Sequence, residues 1–184
     1  KKIDLKDLEP FNLLSKEAFE KIKAECEIVI YGFSQPLSSR RIIENKVLFI
    51  LEGEARLIVK KDQKDITLGK INAGGIVGLA SILRASPCEE VSASKEIKAL
   101  VIPDKLILEL LDKEERFKKW CSSFLFPIEI YEIANIISNS NSISNLDPFK
   151  VYELVKNNYE FYKYDSSLNI SCEEEELLII ASAN

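Results

Sequence analysis

Residues 71–94, INAGGIVGLASILRASPCEEVSAS, form the stretch of this 184-residue chain whose residue types and spacing come nearest to chemistry. Ala73, Gly74, Gly75 and Gly78 crowd one turn, followed by a short apolar segment at 80–83, then Pro87, then a new strand from Val91. Glycines let a backbone turn tightly and bring its N–H groups close to a ligand. A helical turn after Gly78 adds N–H groups with no partner inside the helix, a setting in which anions bind. The chemistry these residues suggest is therefore a phosphate cradle. The side chains that would complete it are missing: Leu79–Leu83 is largely apolar, Pro87 and Cys88 are neutral, and Glu89 and Glu90 are acidic. Arg84, six residues past Gly78, is the one rescue candidate, and the reading favoured for it is a surface arginine on the short helix.

Other chemistries fare worse. The chain has no histidine. That removes histidine general bases, Ser–His and Cys–His nucleophile pairs, and the histidine-rich metal sites of barrel dioxygenases. Cys26, Cys88, Cys121 and Cys172 are scattered with no CxxC pair, so they read as buried free thiols in a reducing compartment rather than as a zinc ribbon. Glu173, Glu174, Glu175 and Glu176 form the one dense acidic cluster. Neighbours on a strand alternate faces and cannot converge on one ion, so this is a solvated run. There is no GxxxxGK[ST] loop. No catalytic residue and no metal ligand is expected, and an enzyme on a small barrel is disfavoured.

Composition places the chain among globular proteins, with 46% hydrophobic and 30% charged residues. The longest apolar runs, 47–51 and 177–181, have strand length, well short of the ~20 residues of a membrane-spanning helix. The opening KKIDLKDLEP lacks the apolar core of a signal peptide, and the expected location is cytoplasmic. The absence of methionine suggests a piece of a longer polypeptide. Residues 125–184 hold three basic and ten acidic side chains, net −7, whereas 1–124 are net +2. An acidic C-terminal third is a poor surface for nucleic acid.

The elements that must position the glycine-rich stretch follow from periodicity. Residues 13–25 read as a helix with Ser15 as N-cap and Leu14, Ala18, Phe19 and Ile22 on one face. Residues 26–31 read as a strand ended by Gly32, 35–37 as a proline turn and 41–43 as a second short strand. KVLFILEGEARLIVK at 46–60 is two strands around a turn or bulge at Gly53. A charged hairpin tip at 61–65, a strand at 66–71 and two further strands at 91–94 and 97–102 complete the pattern. Short strands at regular spacing with no long helix between them predict an antiparallel barrel or roll. Residues 104–123 read as one long helix, with surface i,i+4 pairs Asp112/Arg116 and Glu114/Lys118, ended or kinked by Pro127. Residues 128–137 look helical and 138–145, SNSNSISN, read as a linker. Beyond it, 147–164 resemble the helix and strand at 15–32, with Phe161 and Tyr162 opposite Val29 and Ile30, and LLIIASAN at 177–184 lies opposite 47–54. Either the chain enters a second copy of its opening pattern or short apolar runs match by chance. The organisation expected is a mainly β roll with flanking helices over 1–124 and an acidic helical and strand extension, a partial second unit, over 125–184.

The order of parts resembles the cyclic-nucleotide-binding domain, the β-roll of catabolite activator proteins, kinase regulatory subunits and gated channels. Three segments carry the resemblance: LFILEGEARLIV at 48–59, LGKINAGGIVGLASIL at 68–83 and VSASKEIKALVIP at 91–103. It spans roughly 7–123. In that family a glutamate after the loop glycine accepts hydrogen bonds from the ribose 2′-OH, and a later arginine holds the cyclic phosphate, helped by backbone N–H groups at the start of the short helix. Carried over, Gly78 matches the glycine, Leu79 takes the glutamate position, and the arginine position falls at Pro87–Cys88. A bond to a charged group contributes ~1.5–3 kcal/mol, so losing both anchors removes roughly two to four decades of affinity. The resemblance thus implies a degenerate pocket. If used, it would be lined by Gly75, Gly78, Leu79, Ala80, Arg84 and Cys88, with cAMP or cGMP binding disfavoured and no cofactor.

The function expected is a regulatory or protein-interaction domain of a larger protein. The segment after the roll resembles the corresponding region of some cyanobacterial ABC exporters, which implies ATP-driven export for the parent chain only. The expected partners are other domains of that chain, or further copies of it, without nucleic acid and without membrane insertion. The alternatives are a catabolite-activator-type transcription regulator and a genuine cyclic-nucleotide sensor. The first requires a basic recognition helix after the long helix; here a Ser/Asn linker leads to a helix whose cations are Lys150 and Lys156.

Overall fold

The computed structural model of the chain describes residues 5–139 and 146–159. Two compact units divide at Ser123/Phe124. The N-terminal unit opens with two 3₁₀ turns and helix α1, Lys16–Glu25. The Ser15 hydroxyl accepts the Ala18 N–H at 3.2 Å, and Ala18, Phe19 and Ile22 are buried. Eight strands follow: β1 (Glu27–Tyr31), β2 (Pro36–Ser38), β3 (Lys46–Glu52), β4 (Glu54–Lys61), β5 (Lys64–Asn72), β6 (Ile76–Val77), then helix α2 (Leu79–Leu83), β7 (Glu90–Ala93) and β8 (Ile97–Pro103). They form two antiparallel four-stranded sheets, ordered β1-β8-β3-β6 and β2-β7-β4-β5. The expected β-roll with flanking helices is what forms.

One corner ties the sheets together. β3 passes into β4 through Gly53, and β7 passes into β8 through 94–96, so two of the chain's changes of sheet fall at this corner. Gly53 has φ +98°, and a side chain there would collide with the Glu96 carbonyl. The N–H groups of Ser94 and Lys95 both donate to the Glu54 carbonyl, at 2.9 and 3.1 Å. The Ser94 hydroxyl reaches both that carbonyl and the Glu54 carboxylate, each at 3.0 Å. The two crossings are thereby welded. The β4–β5 tip turns on Asp62 and Gln63, both with positive φ, which suits the twist of a two-residue hairpin.

Three sequence expectations are corrected. The second short strand is Pro36–Ser38, where a turn was expected, and 41–43 is loop with Ile42 and Ile43 exposed. Leu37 and Ser38 are buried, and Pro36, which lacks an N–H, starts a strand at the edge of its sheet. The expected single helix at 104–123 is two, α3 (Asp104–Lys113) and α4 (Glu115–Cys121), broken at Glu114, whose ψ is 88°. The Glu114 carboxylate accepts the Ser15 N–H at 2.9 Å and the Ser15 hydroxyl at 2.6 Å. Those bonds anchor the start of α1 to the break, a constraint from 99 residues away. Pro127 does not end this helix. It opens the next one, α5 (Pro127–Asn139), where a missing N–H is harmless.

Between α1 and α3 lies a cleft of about 160 Å³ lined in part by Lys21, Glu109 and Lys113. Glu109 accepts from Lys21 at 2.6 Å and from Lys113 at 2.9 Å. In the C-terminal unit α5 meets α6 (Pro148–Asn157), capped by the Asp147 carboxylate accepting the Phe149 N–H at 3.1 Å. Tyr131 packs against Phe149 and Tyr152, with ring centroids 5.4 and 6.2 Å away. Ser138 and Asn139 belong to α5 rather than to the linker. The rest of the linker, Phe161, Tyr162, Cys172, Glu173–Glu176 and 177–184 lie outside the described residues, and the repeat is read only at α6.

The Lys21 and Lys113 ammonium groups hold the Glu109 carboxyl at about 2, down from 4.5. A depressed carboxyl contributes stability that is full above its ordinary value and lost as pH falls through the depressed one. Glu109→Gln should therefore melt below the wild type near neutral pH. The gap should close as pH falls from about 4.5 towards 2, and a gap unchanged across that range in paired melts would contradict the ion-pair assignment.

Candidate functional site

The glycine-rich loop is built from β3 outward. Gly74 donates to the Ile50 carbonyl at 2.8 Å, Ile50 donates to the Gly75 carbonyl at 2.9 Å, and Gly75 donates to Asn72 at 2.9 Å. Gly74 has φ +90°, and a Cβ on Gly75 would press on the Asn72 carbonyl and the Ile71 side chain. These two glycines satisfy backbone demands of the β5–β6 turn. Gly78, also at φ +90°, is the N-cap of α2, and a Cβ there would come within 3.1 Å of the Lys46 carbonyl.

The Gly78 N–H does not face open space. It donates to Oε2 of Glu89 at 2.8 Å, and Glu89 is 3% exposed. The backbone on either side of Glu89 is held as well. The Ser38 hydroxyl donates to the Glu89 carbonyl at 3.2 Å. The Cys88 N–H donates to the Ser81 hydroxyl at 3.1 Å, and the Ser81 oxygen lies 3.4 Å from the Cys88 sulfur. Ser86 N–H closes the turn after α2 onto the Ser81 carbonyl, 3.1 Å away, and Ala85 takes a positive φ of 48°. Ser81 on α2 is thus bonded to the far side of the 84–88 loop, and Gly78 to the residue just beyond it.

The structure places the sequence-derived residues as follows. Gly78, Leu79, Ala80 and Cys88 gather around this loop, and the last three are buried at 1, 0 and 3% exposure. Leu79, at the position where the resemblance puts a ribose-binding glutamate, is core. Cys88, one of the two residues at the expected arginine position, is a buried thiol against Ser81. Arg84 is the exposed C-cap of α2. Gly75 belongs to the preceding turn. Of the two acids expected to repel an anion, Glu89 points inward onto Gly78, whereas Glu90 starts β7 opposite Ile58.

Ser38, Ser81 and the inward role of Glu89 were missed. A signal existed for Glu89: with Val91 and Ala93 it falls on alternate positions of an extended segment, and both of those are 1% exposed. No comparable signal marks Ser38, which reaches the site from 51 residues away. Chemically, the arrangement holds an N–H group with an internal acceptor. Burial pushes the thiols of Cys26 and Cys121 up to about 11 and about 12, so neither is a nucleophile at neutral pH. No group of His, Cys, Asp and Glu among the described residues could hold a metal ion. No described helix is long and apolar enough to cross a membrane.

Residues 41–114 match the family model described as the cyclic nucleotide-binding domain. No curated protein matches the sequence. Among solved structures, the sensor domain of the transcriptional regulator DNR from Pseudomonas aeruginosa aligns at TM-score 0.57 and 13% identity, over 63% of this chain and 79% of that one. A crp/fnr-family regulator described for Eubacterium rectale aligns at 0.55 and 15% identity, over 61% of this chain and 54% of that one. A mutant regulatory subunit of a cAMP-independent protein kinase A from Trypanosoma brucei, bound to cAMP, aligns at 0.51 and 12% identity, over 63% and 47%. The chain therefore spans about half the length of the last two. At these identities the likeness shows the fold.

Gly78→Ala combines a left-handed backbone with a tight contact, and should destabilise the unit by ~1–3 kcal/mol in urea titration. Gly69→Ala, where an added Cβ meets nothing within 4 Å, serves as the control and should be neutral or slightly stabilising. Equal losses at both positions would show that the conformation at Gly78 is not special.

Proposed function

Starting from a cyclic-nucleotide-binding-like domain over residues 41–114, we propose that this chain is a regulatory or protein-interaction module that works without cAMP or cGMP. The observation that carries this reading is the Gly78 N–H spent on the buried Glu89 carboxylate, 2.8 Å away. Leu79 and Cys88 support it, because neither can donate to or accept from a nucleotide in place of the family's glutamate and arginine. Losing those anchors removes roughly two to four decades of affinity. A carboxylate at the same N–H opposes a phosphate further, since like charges at short range repel. The kinase subunit from Trypanosoma brucei, described as cAMP-independent and bound to cAMP as a mutant, offers a parallel for a roll kept without its ordinary ligand.

In this reading the chain is part of a larger cytoplasmic protein, for which the segment after the roll favours an ABC-type exporter. Its partners are the other domains of that protein or further copies of this one, and it neither catalyses a reaction nor binds nucleic acid. The acidic excess of 125–184 is in keeping with the last point.

Calorimetric titration of the chain with cAMP and with cGMP should give no binding tighter than about 100 μM, the affinity left once micromolar binding loses two decades or more. Micromolar binding of either nucleotide would overturn the proposal. The triple variant Leu79→Glu, Cys88→Arg, Glu89→Ala should bind cAMP at least ~10-fold better than the wild type, the effect of about 1.4 kcal/mol. No gain in a folded triple variant would mean that the anchor positions are misassigned.

A further inference from the structure

We propose that the Glu89 carboxylate is the resident anion of the α2 loop, a ligand the chain carries itself in place of a small oxyanion. The proposal rests on the nucleotide-independent reading above and deepens it, by naming what occupies the loop instead. The Gly78–Glu89 distance of 2.8 Å lies in the range of charge-assisted bonds between N–H groups and carboxylates. Glu89 is 3% exposed, and a buried carboxylate is costly unless its oxygens are bonded. No buried side-chain nitrogen or oxygen among the described residues lacks a partner, so this carboxylate is accommodated rather than trapped.

The surroundings hold it there. Ser38 fixes the Glu89 carbonyl and Ser81 fixes the Cys88 N–H, so the backbone on either side of the carboxylate is tied down before its side chain reaches Gly78. Gly78 is left-handed, and that conformation aims its N–H into the protein. A carboxylate and a phosphate oxygen are the same class of acceptor for such an N–H. The loop is thus held in one arrangement by a tethered acceptor, whose presence does not depend on the concentration of any free anion. The ligands it excludes are phosphate esters. Cutting the side chain away should leave a site for a small oxyanion.

Thermal melts of wild type, Glu89→Ala and Glu89→Gln in sodium chloride, sodium formate and sodium phosphate at equal ionic strength test this. Glu89→Ala should melt below the wild type by about 5 °C. Formate or phosphate at about 100 mM should restore part of that loss, while neither raises the wild type or Glu89→Gln beyond chloride. The same anion response in all three proteins, or Glu89→Ala as stable as the wild type, would overturn the proposal. Should Glu89→Ala not fold, amide exchange at Gly78 decides, with exchange in Glu89→Gln expected about tenfold faster than in the wild type, because a neutral acceptor bonds more weakly. Equal exchange in the two proteins overturns the proposal. A folded Glu89→Ala without anion response overturns the resident anion alone, whereas cAMP binding to the wild type overturns the nucleotide-independent reading beneath it.

Discussion

The corner at Gly53 is the constraint on which the roll depends. Two crossings between sheets meet there, and they fit only because one of the facing residues lacks a Cβ: the Glu96 carbonyl occupies the space a side chain on Gly53 would need. Glu54 then secures the second crossing through both its carbonyl and its carboxylate. Its carboxyl is held below the ordinary value by the hydrogen bond from Lys70 first and by Ser94 next, so the anchor stays an acceptor at neutral pH. Everything later in the roll takes its register from that weld. β8 lies beside β3 with Lys98 opposite Glu52, and β7 lies beside β4 with Ala93 opposite Ala55.

The site inherits its geometry from this register. Once Val91 pairs with Leu57 and Glu90 with Ile58, the residue before Glu90 leaves the ladder and meets Gly78 at the start of α2. Alternation turns that residue, Glu89, inward, and Gly78 supplies the donor it meets. The glycines of the loop are then explained without a ligand. Gly74 and Gly75 serve a turn stitched to Ile50, and Gly78 serves a close approach to Lys46. A glycine-rich turn is a signature of backbone path first. Its chemistry depends on the side chains around it, which here are core residues and a carboxylate.

Local patterns therefore read well and distant partners did not. The two strands of 46–60 and the break at Gly53 were legible because apolar runs on either side of a glycine are a local signal, and the cap Ser15 was legible because N-cap chemistry is local. The break at Glu114 was not, since 104–123 has a sound helical pattern and the competing bonds come from Ser15. β2 was placed too late because a proline ordinarily argues against a strand, and only the edge position makes Pro36 acceptable. The glycine turn and the short helix after it were placed by the sequence, and the side chains around them only in part. Leu79 and Cys88 could be judged one residue at a time, while Glu89 required knowing which face of β7 is inside.

The same backbone network that carries the cradle also carries the start of α3. Gly78 lies against the Lys46 carbonyl, Lys46 pairs with Pro103, and the Asp104 N–H that opens α3 donates to the Asn45 carbonyl at 3.0 Å. At the other end of α3, Glu114 grips Ser15 at the start of α1. The helix leaving the roll is thus pinned at both ends, by a strand start that touches the loop and by the N-cap of the first helix. Here the loop's N–H is already satisfied from within the chain, so α3 has a fixed origin.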